Sequence, residues 1–232
     1  MKRALLSILL MGASLVGASP ADANPVQDLG DSFGTWRADT QPATRDDIPR
    51  IARPAGWVPD WSSSAIRERQ ARLGALEAQW QALADTPRSI TEETDYRLMG
   101  SALARVRWEL DHVAAWKRQP QFYIAQALVP IFETLLPPPP LEAERIDEVI
   151  RLLEHAPVTL RAGEVNLVDM RGPFVDVALE QLGEAADLLD RDVAGQGAGL
   201  RILETLQPAH VGMAARRGRT DLAVFLRRGA TS

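Results

Sequence analysis

The sequence predicts an all-α fold, a multi-helix array of antiparallel helices. Apolar residues recur at alternating spacings of three and four over much of the chain, which places them on one face of a helix. Prolines and helix-capping residues divide the chain into segments of ordinary helix length. Runs of β-branched residues at period two, which are typical of strands, are missing from the 232 residues.

The first two predicted helices have the clearest apolar periodicity. Serines at 62–64 are good N-caps for a helix that we expect to end at Pro87. Ser89 and Glu92 have capping-box spacing at the start of the next helix, which we expect Pro120 to stop. The short connection predicts that the two helices lie antiparallel. The predicted inward residues are Ile66, Leu73, Leu76, Trp80 and Leu83, then Tyr96, Met99, Leu103, Val106, Leu110 and Val113.

Prolines also set the predicted boundaries of the later helices. We expect Pro130 to interrupt or restart one helix, and Pro157 to begin a short helix after another has ended. Four consecutive prolines at 137–140 predict a stiff polyproline connection. The predicted helical segments are 121–136, 141–156, 157–167, one that opens at Pro173, and weaker ones at 200–217 and 220–228.

The amino terminus has the features of an export signal. Lys2 and Arg3 precede an apolar run at 4–16, and Ala21-Asp22-Ala23 fits an A-x-A cleavage site. The apolar run is too short to be a comfortable membrane anchor. We therefore predict a signal peptide over 1–23, an extended lead-in over 24–59 and a helical domain over 60–232. The mature protein is expected to be periplasmic or secreted.

Composition narrows the functional classes. Hydrophobic residues make up 46% of the chain, enough for a packed core, and the formal net charge of −5 is unlike that of a dedicated nucleic-acid binder. The absence of cysteine excludes disulfides, thiolate metal sites and cysteine nucleophiles. Trp57 and Trp61 have two interpretations, stacking on a sugar or peptide ligand, or packing the helix entry against the core, and the second is the more common.

No complete catalytic or metal site is predicted, and no cofactor. His112, His155 and His210 are the only histidines, and none has another histidine four residues on, as the common helical zinc sites require. No G-x-S-x-G motif occurs after residue 23, and the glycine-rich segment 195–199 fits a flexible linker better than a phosphate loop. An acidic helix face and a basic carboxyl end are interpreted as solvated charges: Glu142, Glu144, Asp147 and Glu148, and Arg216, Arg217, Arg219, Arg227 and Arg228.

Several segments resemble a known bacterial family. Residues 95–110, DYRLMGSALARVRWEL, carry the strongest likeness, and WKRQPQFY at 116–123 continues it. Further matches occur in order at 57–61, 135–140, 151–157 and 162–167. In this order and spacing the chain, over about residues 57–189, is similar to the family named domain of unknown function 885.

The resemblance implies a mainly helical, exported, peptidase-like protein. Members of that family are thought to bind zinc through a His-Glu-x-x-Pro-Gly-His-His type motif downstream of the matched region, and this chain stops before such a motif. No zinc ligand is therefore assigned here, and zinc is expected only in full-length relatives. The matched helices would form one wall of a substrate channel, and their apolar stripes predict a downstream half or an oligomer partner that covers them.

Three functional hypotheses follow. The first is a truncated member of this peptidase-like family, inactive alone because its zinc-binding region is absent. The second is a stand-alone helical binding or interaction module in the periplasm. The third is an active enzyme whose carboxylates and histidines come together only in the folded structure.

Overall fold

The computed structural model describes residues 24–44, 52–136 and 142–188, with side chains as far as residue 184. The predicted all-α class is confirmed over these ranges, in which no strand occurs. The predicted signal peptide, the polyproline connection, the glycine-rich segment, the two weaker helices and the basic end lie outside the described residues. The helices are α1 (Pro25–Thr40), α2 (Ser63–Ala82), α3 (Ile90–Arg107), α4 (Ala115–Arg118), α5 (Pro120–Leu135), α6 (Ala143–Asn166) and α7 (Gly172–Leu188), with a π-helical segment (Trp108–Val113) after α3.

The antiparallel pairing of the first two predicted helices is confirmed for α2 and α3. Ser62 caps α2, and Ser89 and Glu92 form the predicted capping box at the start of α3. Contacts along the pair run in opposite numerical order, as antiparallel helices require: Gln70 with Asp111, Glu77 with Arg107, and Trp80 with Tyr96.

The extended lead-in predicted for 24–59 is wrong for its first part, which forms α1. The Asn24 side chain accepts hydrogen bonds from the amides of Val26 and Gln27, and Pro25 occupies the first turn, where a missing N–H costs nothing. The inward residues follow helical spacing, but Gly30 and Gly34 lower the helix propensity of the segment. These inward residues are Val26, Leu29, Phe33 and Trp36.

The prediction that Pro120 stops the second long helix is also wrong. The backbone changes to π-helical hydrogen bonding at Trp108, and Ala114 then adopts a left-handed conformation with φ 43°. Trp116 Nε1 donates to the carbonyl of Leu110 at 2.9 Å, so a side chain satisfies one of the carbonyls that the helix end leaves free. Pro120 instead lies in the first turn of α5.

Two further predicted helix breaks do not occur. Pro130 lies inside α5 and Pro157 inside α6, which joins the two helices predicted at 141–156 and 157–167. An interior proline costs about 3 kcal/mol or more through its lost hydrogen bond and ring clash. Both prolines are buried, and we infer that the apolar area buried by these helices offsets the cost.

The described helices enclose three apolar clusters. The first lies among α1, α2 and α3 and is centred on Leu73, Leu76 and Leu103. The second lies among α5, α6 and α7 around the fully buried Tyr123, and the third extends between α5 and α6. Trp61, just before α2, belongs to the second cluster, so the start of α2 joins the two halves of the fold.

Some large apolar side chains lie on outer faces. The sequence predicted exposed hydrophobic surface, and the five most exposed examples are on α3, after α5, on α6 and after α6: Ile90, Leu98, Leu136, Val165 and Val168. No described helix combines the length and the apolar composition that crossing a bilayer requires.

Close packing of α6 on α5 at Gly163 gives a stability prediction. A methyl group there would lie 2.9 Å from Cγ of the buried Tyr123 ring. We expect Gly163→Ala to lower the free energy of unfolding by about 1–3 kcal/mol, measured by urea denaturation, because the ring has little room to move. The matched control is Gly183→Ala in α7, where no atom lies within 4 Å and a gain of up to about 1 kcal/mol is expected. Similar effects at both positions would contradict close packing at Gly163.

Candidate functional site

The described histidines do not form a metal site. His112 is exposed on the π-helical segment, whereas His155 Nε2 lies 3.2 Å from the carbonyl oxygen of Pro59. His210 lies outside the described residues. Within the parts of the chain that the structure describes, no three His, Cys, Asp or Glu side chains are grouped as metal ligands. The family resemblance predicts zinc only in full-length relatives and assigns no ligand among these residues.

The other described candidate residues lie as their structural interpretations predicted: the acidic residues of α6 face solvent, and the two tryptophans pack against the protein. Glu142, Glu144 and Asp147 are exposed at the start of α6, and Glu148 is partly exposed. Trp57 packs beneath the guanidinium of Arg53 and donates to the carbonyl of Asp39 at 2.7 Å. Trp61 is buried and packs edge-on against Phe122 with ring centroids 4.6 Å apart.

An aromatic cavity that the sequence did not predict lies beside Trp61. It has a volume of about 270 Å³, is partly open to solvent, and is lined by residues of α1, the start of α2, α3, the π-helical segment, α4 and α5. Its aromatic walls are Trp36, Trp61, Trp108, Trp116 and Phe122. The aromatic walls and a few polar groups are features typical of small-molecule sites.

Buried polar side chains hold Trp61 in place. Gln126 Oε1 accepts from Trp61 Nε1 at 3.2 Å and from the amide of Ala43 at 2.8 Å, while Gln126 Nε2 donates to the Ala43 carbonyl at 2.9 Å. Asn166 Nδ2 donates to the Trp61 carbonyl at 2.7 Å. The indole and its backbone are therefore fixed from α5 and α6, which gives the cavity one rigid wall.

A second buried network joins the cavity wall to the core. Tyr123 donates its hydroxyl proton to the Trp116 carbonyl at 2.6 Å and accepts from Asn166 Nδ2 at 3.0 Å. Burial raises the pKa of Tyr123, so its hydroxyl stays protonated and remains a donor at neutral pH. Trp116 is thus held at two points. Its carbonyl accepts from Tyr123, and its ring nitrogen donates to the carbonyl of Leu110.

Arg69 brings a charge into this aromatic cavity. The residue is only 7% exposed, and its guanidinium carbon lies 4.1 Å from the centre of the Trp61 ring. Its Nε and Nη1 atoms are buried and have no hydrogen-bond partner, and no ion pair to Arg69 occurs in the described ranges. Burial lowers the pKa of Arg69 to about 10, against the opposing influence of Asp60 and Asp39, so the group is still charged at neutral pH.

The other charged side chains of the cavity wall are Arg37, Arg105 and Glu109, and both arginines form ion pairs with the glutamate. Arg37 Nη2 lies 3.2 Å from Glu109 Oε2, and Arg105 Nε lies 3.1 Å from Glu109 Oε1. Together with Arg69, the described lining residues carry three arginines and one glutamate. The wall is therefore net positive, which favours an anionic group inside it.

The π-helical segment forms part of the cavity wall. It supplies Trp108, Glu109, Leu110 and Val113 to the lining, and Leu110 also packs in the first apolar cluster. The left-handed Ala114 that follows is buried, and a non-glycine residue in this conformation costs about 1–2 kcal/mol. Departures of this kind from regular helix are common at functional sites.

Sequence reasoning missed Arg69 although a signal for it exists. The predicted stripe of α2 steps by seven from Ile66 to Leu73, and Arg69 occupies the helical position between them, three after one and four before the other. An arginine on an otherwise apolar face indicates a buried cation that needs compensation. The aromatic partners lie far apart in sequence, so the cavity itself was not predictable from spacing.

Comparisons with known proteins do not identify the chain: no protein-family model, no curated protein and no solved structure matches it. The resemblance to domain of unknown function 885 therefore stays a prediction from the residues quoted above.

The unpaired charge of Arg69 predicts a stability cost. Because its pKa is lower in the folded state than in the unfolded chain, the unfolded chain binds more protons between pH 10 and 12.5, and the cost is fully present below about pH 10. We expect Arg69→Met to raise the free energy of unfolding at pH 7 by about 1 kcal/mol or more, measured by urea denaturation. The exposed Arg72→Met, on the same helix, should change it by less than about 0.5 kcal/mol. A loss of stability in Arg69→Met beyond that of the control would show that Arg69 stabilises the empty fold.

Proposed function

We propose that the helical domain is a non-catalytic binding module that holds a small ligand in the aromatic cavity beside Trp61. The observation that carries this proposal is a preformed cavity with aromatic walls and a buried, unpaired guanidinium. Fixed aromatic walls bind an apolar body at little entropic cost, and a single polar group orients it.

A second candidate comes from the family resemblance. In it the described helices are the amino-terminal wall of an exported, peptidase-like protein, inactive alone, and zinc is bound by residues outside this chain. The order of the matching segments over about residues 57–189 supports this candidate. The two candidates are compatible, since a cavity in such a wall can hold part of a substrate.

A ligand screen tests the binding module. We expect a subset of small aromatic compounds to raise the melting temperature of the protein, because a ligand that binds only the folded state stabilises it. Filling the cavity with Ala115→Phe should remove the shifts, since Ala115 lines it. Ala104→Phe, on the exposed face of α3, should keep them.

The outcomes separate the candidates. Equal shifts in both alanine variants would mean that the ligands bind elsewhere, which contradicts the binding module. Peptide hydrolysis by the purified chain, lost on adding a metal chelator, would contradict both candidates and favour an enzyme.

We further propose that the protein is exported to the periplasm or beyond. Lys2, Arg3, the apolar run and Ala21-Asp22-Ala23 support it. Mass spectrometry of the exported protein should show a chain that begins at Asn24. Replacing the small residue before the cut, as in Ala23→Arg, should leave the precursor uncut, whereas Ser19→Ala should not. A mature protein that keeps Met1 and stays in the cytoplasm would contradict export.

Exposed apolar residues support a partner for the outer helix faces. Val165, Val168 and Val177 are each at least 44% exposed, around the junction of α6 and α7. We propose that a further protein segment or a second copy covers them. Sedimentation of the full chain as a monomer at all accessible concentrations, with a sharp cooperative melt, would contradict this.

A further inference from the structure

The unpaired guanidinium of Arg69 gives the cavity a specific chemical requirement. A buried charge without a counter-ion is costly, so native proteins pair buried cations with carboxylates or other acceptors. Arg69 has contact with the Trp61 ring, but its buried Nε and Nη1 atoms make no hydrogen bond. Stacking on an aromatic face compensates only part of the cost of removing a cation from water.

The nearby acidic residues do not meet this requirement. Asp60 and Asp39 lie close enough to raise the pKa of Arg69, yet neither forms an ion pair with it. Glu109, the one described carboxylate in the lining, is already bound by Arg37 and Arg105. Among the described residues, no acceptor is within hydrogen-bond distance of Arg69 Nε or Nη1, and a ligand can supply one.

We propose that the cavity binds a small organic carboxylate with an aromatic or branched apolar body, whose carboxylate pairs with Arg69 while its body lies among the tryptophans. This inference rests on the proposed binding function and names its ligand class. A guanidinium offers several N–H donors that match the oxygens of a carboxylate.

Charge and shape favour a monocarboxylate over a phosphate. One buried guanidinium balances one negative charge, and the other arginines of the wall are engaged with Glu109. The aromatic side chains Trp36, Trp116 and Phe122 suit an apolar body. Since Glu109 already neutralises part of the charge of Arg37 and Arg105, a dianionic phosphate would bring one negative charge more than Arg69 balances. A volume of about 270 Å³ is sufficient for one ring or a branched chain.

Matched acids and amides test the proposal. Phenylacetate, 3-phenylpropionate and 4-methylpentanoate are titrated into the full chain by calorimetry, beside their neutral amides and inorganic phosphate. We expect the acids to bind at least about tenfold more tightly than the amides, because a charged hydrogen bond is lost in the amide. Inorganic phosphate should neither bind in the cavity nor displace the acids.

Variants of Arg69 assign the contact. Arg69→Met and Arg69→Gln should each lower the affinity for the acids by about tenfold or more and leave the affinity for the amides within about threefold. Arg72→Met, exposed on the same helix, should bind the acids as the native chain does. Two variants are used so that the result does not depend on the folding of either one, and unfolding curves verify each.

Three other results would contradict the proposal. Equal binding of acids and amides, unchanged in both Arg69 variants, would overturn the carboxylate pairing and leave the binding module intact. Arg69-dependent binding of phosphate without binding of the acids would overturn the ligand class. Absence of binding by every acid and amide would overturn both this inference and the proposed function.

Discussion

The buried position of Trp61 is the constraint on which both the core and the cavity depend. Its indole nitrogen is fixed by Gln126 of α5, and its carbonyl by Asn166 at the end of α6. Trp61 packs in the cluster around Tyr123, and the guanidinium carbon of Arg69 lies 4.1 Å from the centre of the indole ring. Because buried polar groups must find partners, these bonds specify where α2 begins relative to α5 and α6.

The described helices form two halves, α1 to α3 and α5 to α7, on either side of this junction. The hairpin of α2 and α3 packs on α1 through leucines, and its outer contacts are ion pairs such as that of Glu77 with Arg107. The helices α5, α6 and α7 pack around Tyr123. The aromatic cavity lies where these halves meet, and for this reason its lining comes from six elements.

Local rules predicted most of the helices but not their junctions. Alternating spacings and the Ser89–Glu92 capping box were sufficient for α2 and α3, since both signals act within one helix. The interior prolines at 130 and 157 were misinterpreted because burial of the helix face, a tertiary effect, outweighs a local cost. α1 was missed because two glycines weaken its propensity while its inward residues pack on the hairpin.

The cavity was less accessible to sequence reasoning than the fold. The position of Arg69 on the apolar stripe of α2 could have indicated a buried cation from the sequence alone. Its partner Trp61 and the wall residues Trp36 and Trp116, in contrast, come from separate segments of the chain. Without distances between those segments, a tryptophan in a core and a tryptophan in a binding site have the same pattern. The π-helical hydrogen bonding likewise has no signature in apolar spacing, since Leu110 keeps its place in the stripe.

The wide turn at Trp108–Val113 also constrains how the length of the chain can vary. A π-helical turn holds one residue more than the α-helical turn that it replaces. Deleting one residue there would restore regular hydrogen bonding, yet it would rotate everything beyond it by about 100° around the helix axis. Trp116 and the start of α5 would then face away from Trp61. Single-residue deletions, which surface segments commonly tolerate, should therefore be rare in homologues at this bend.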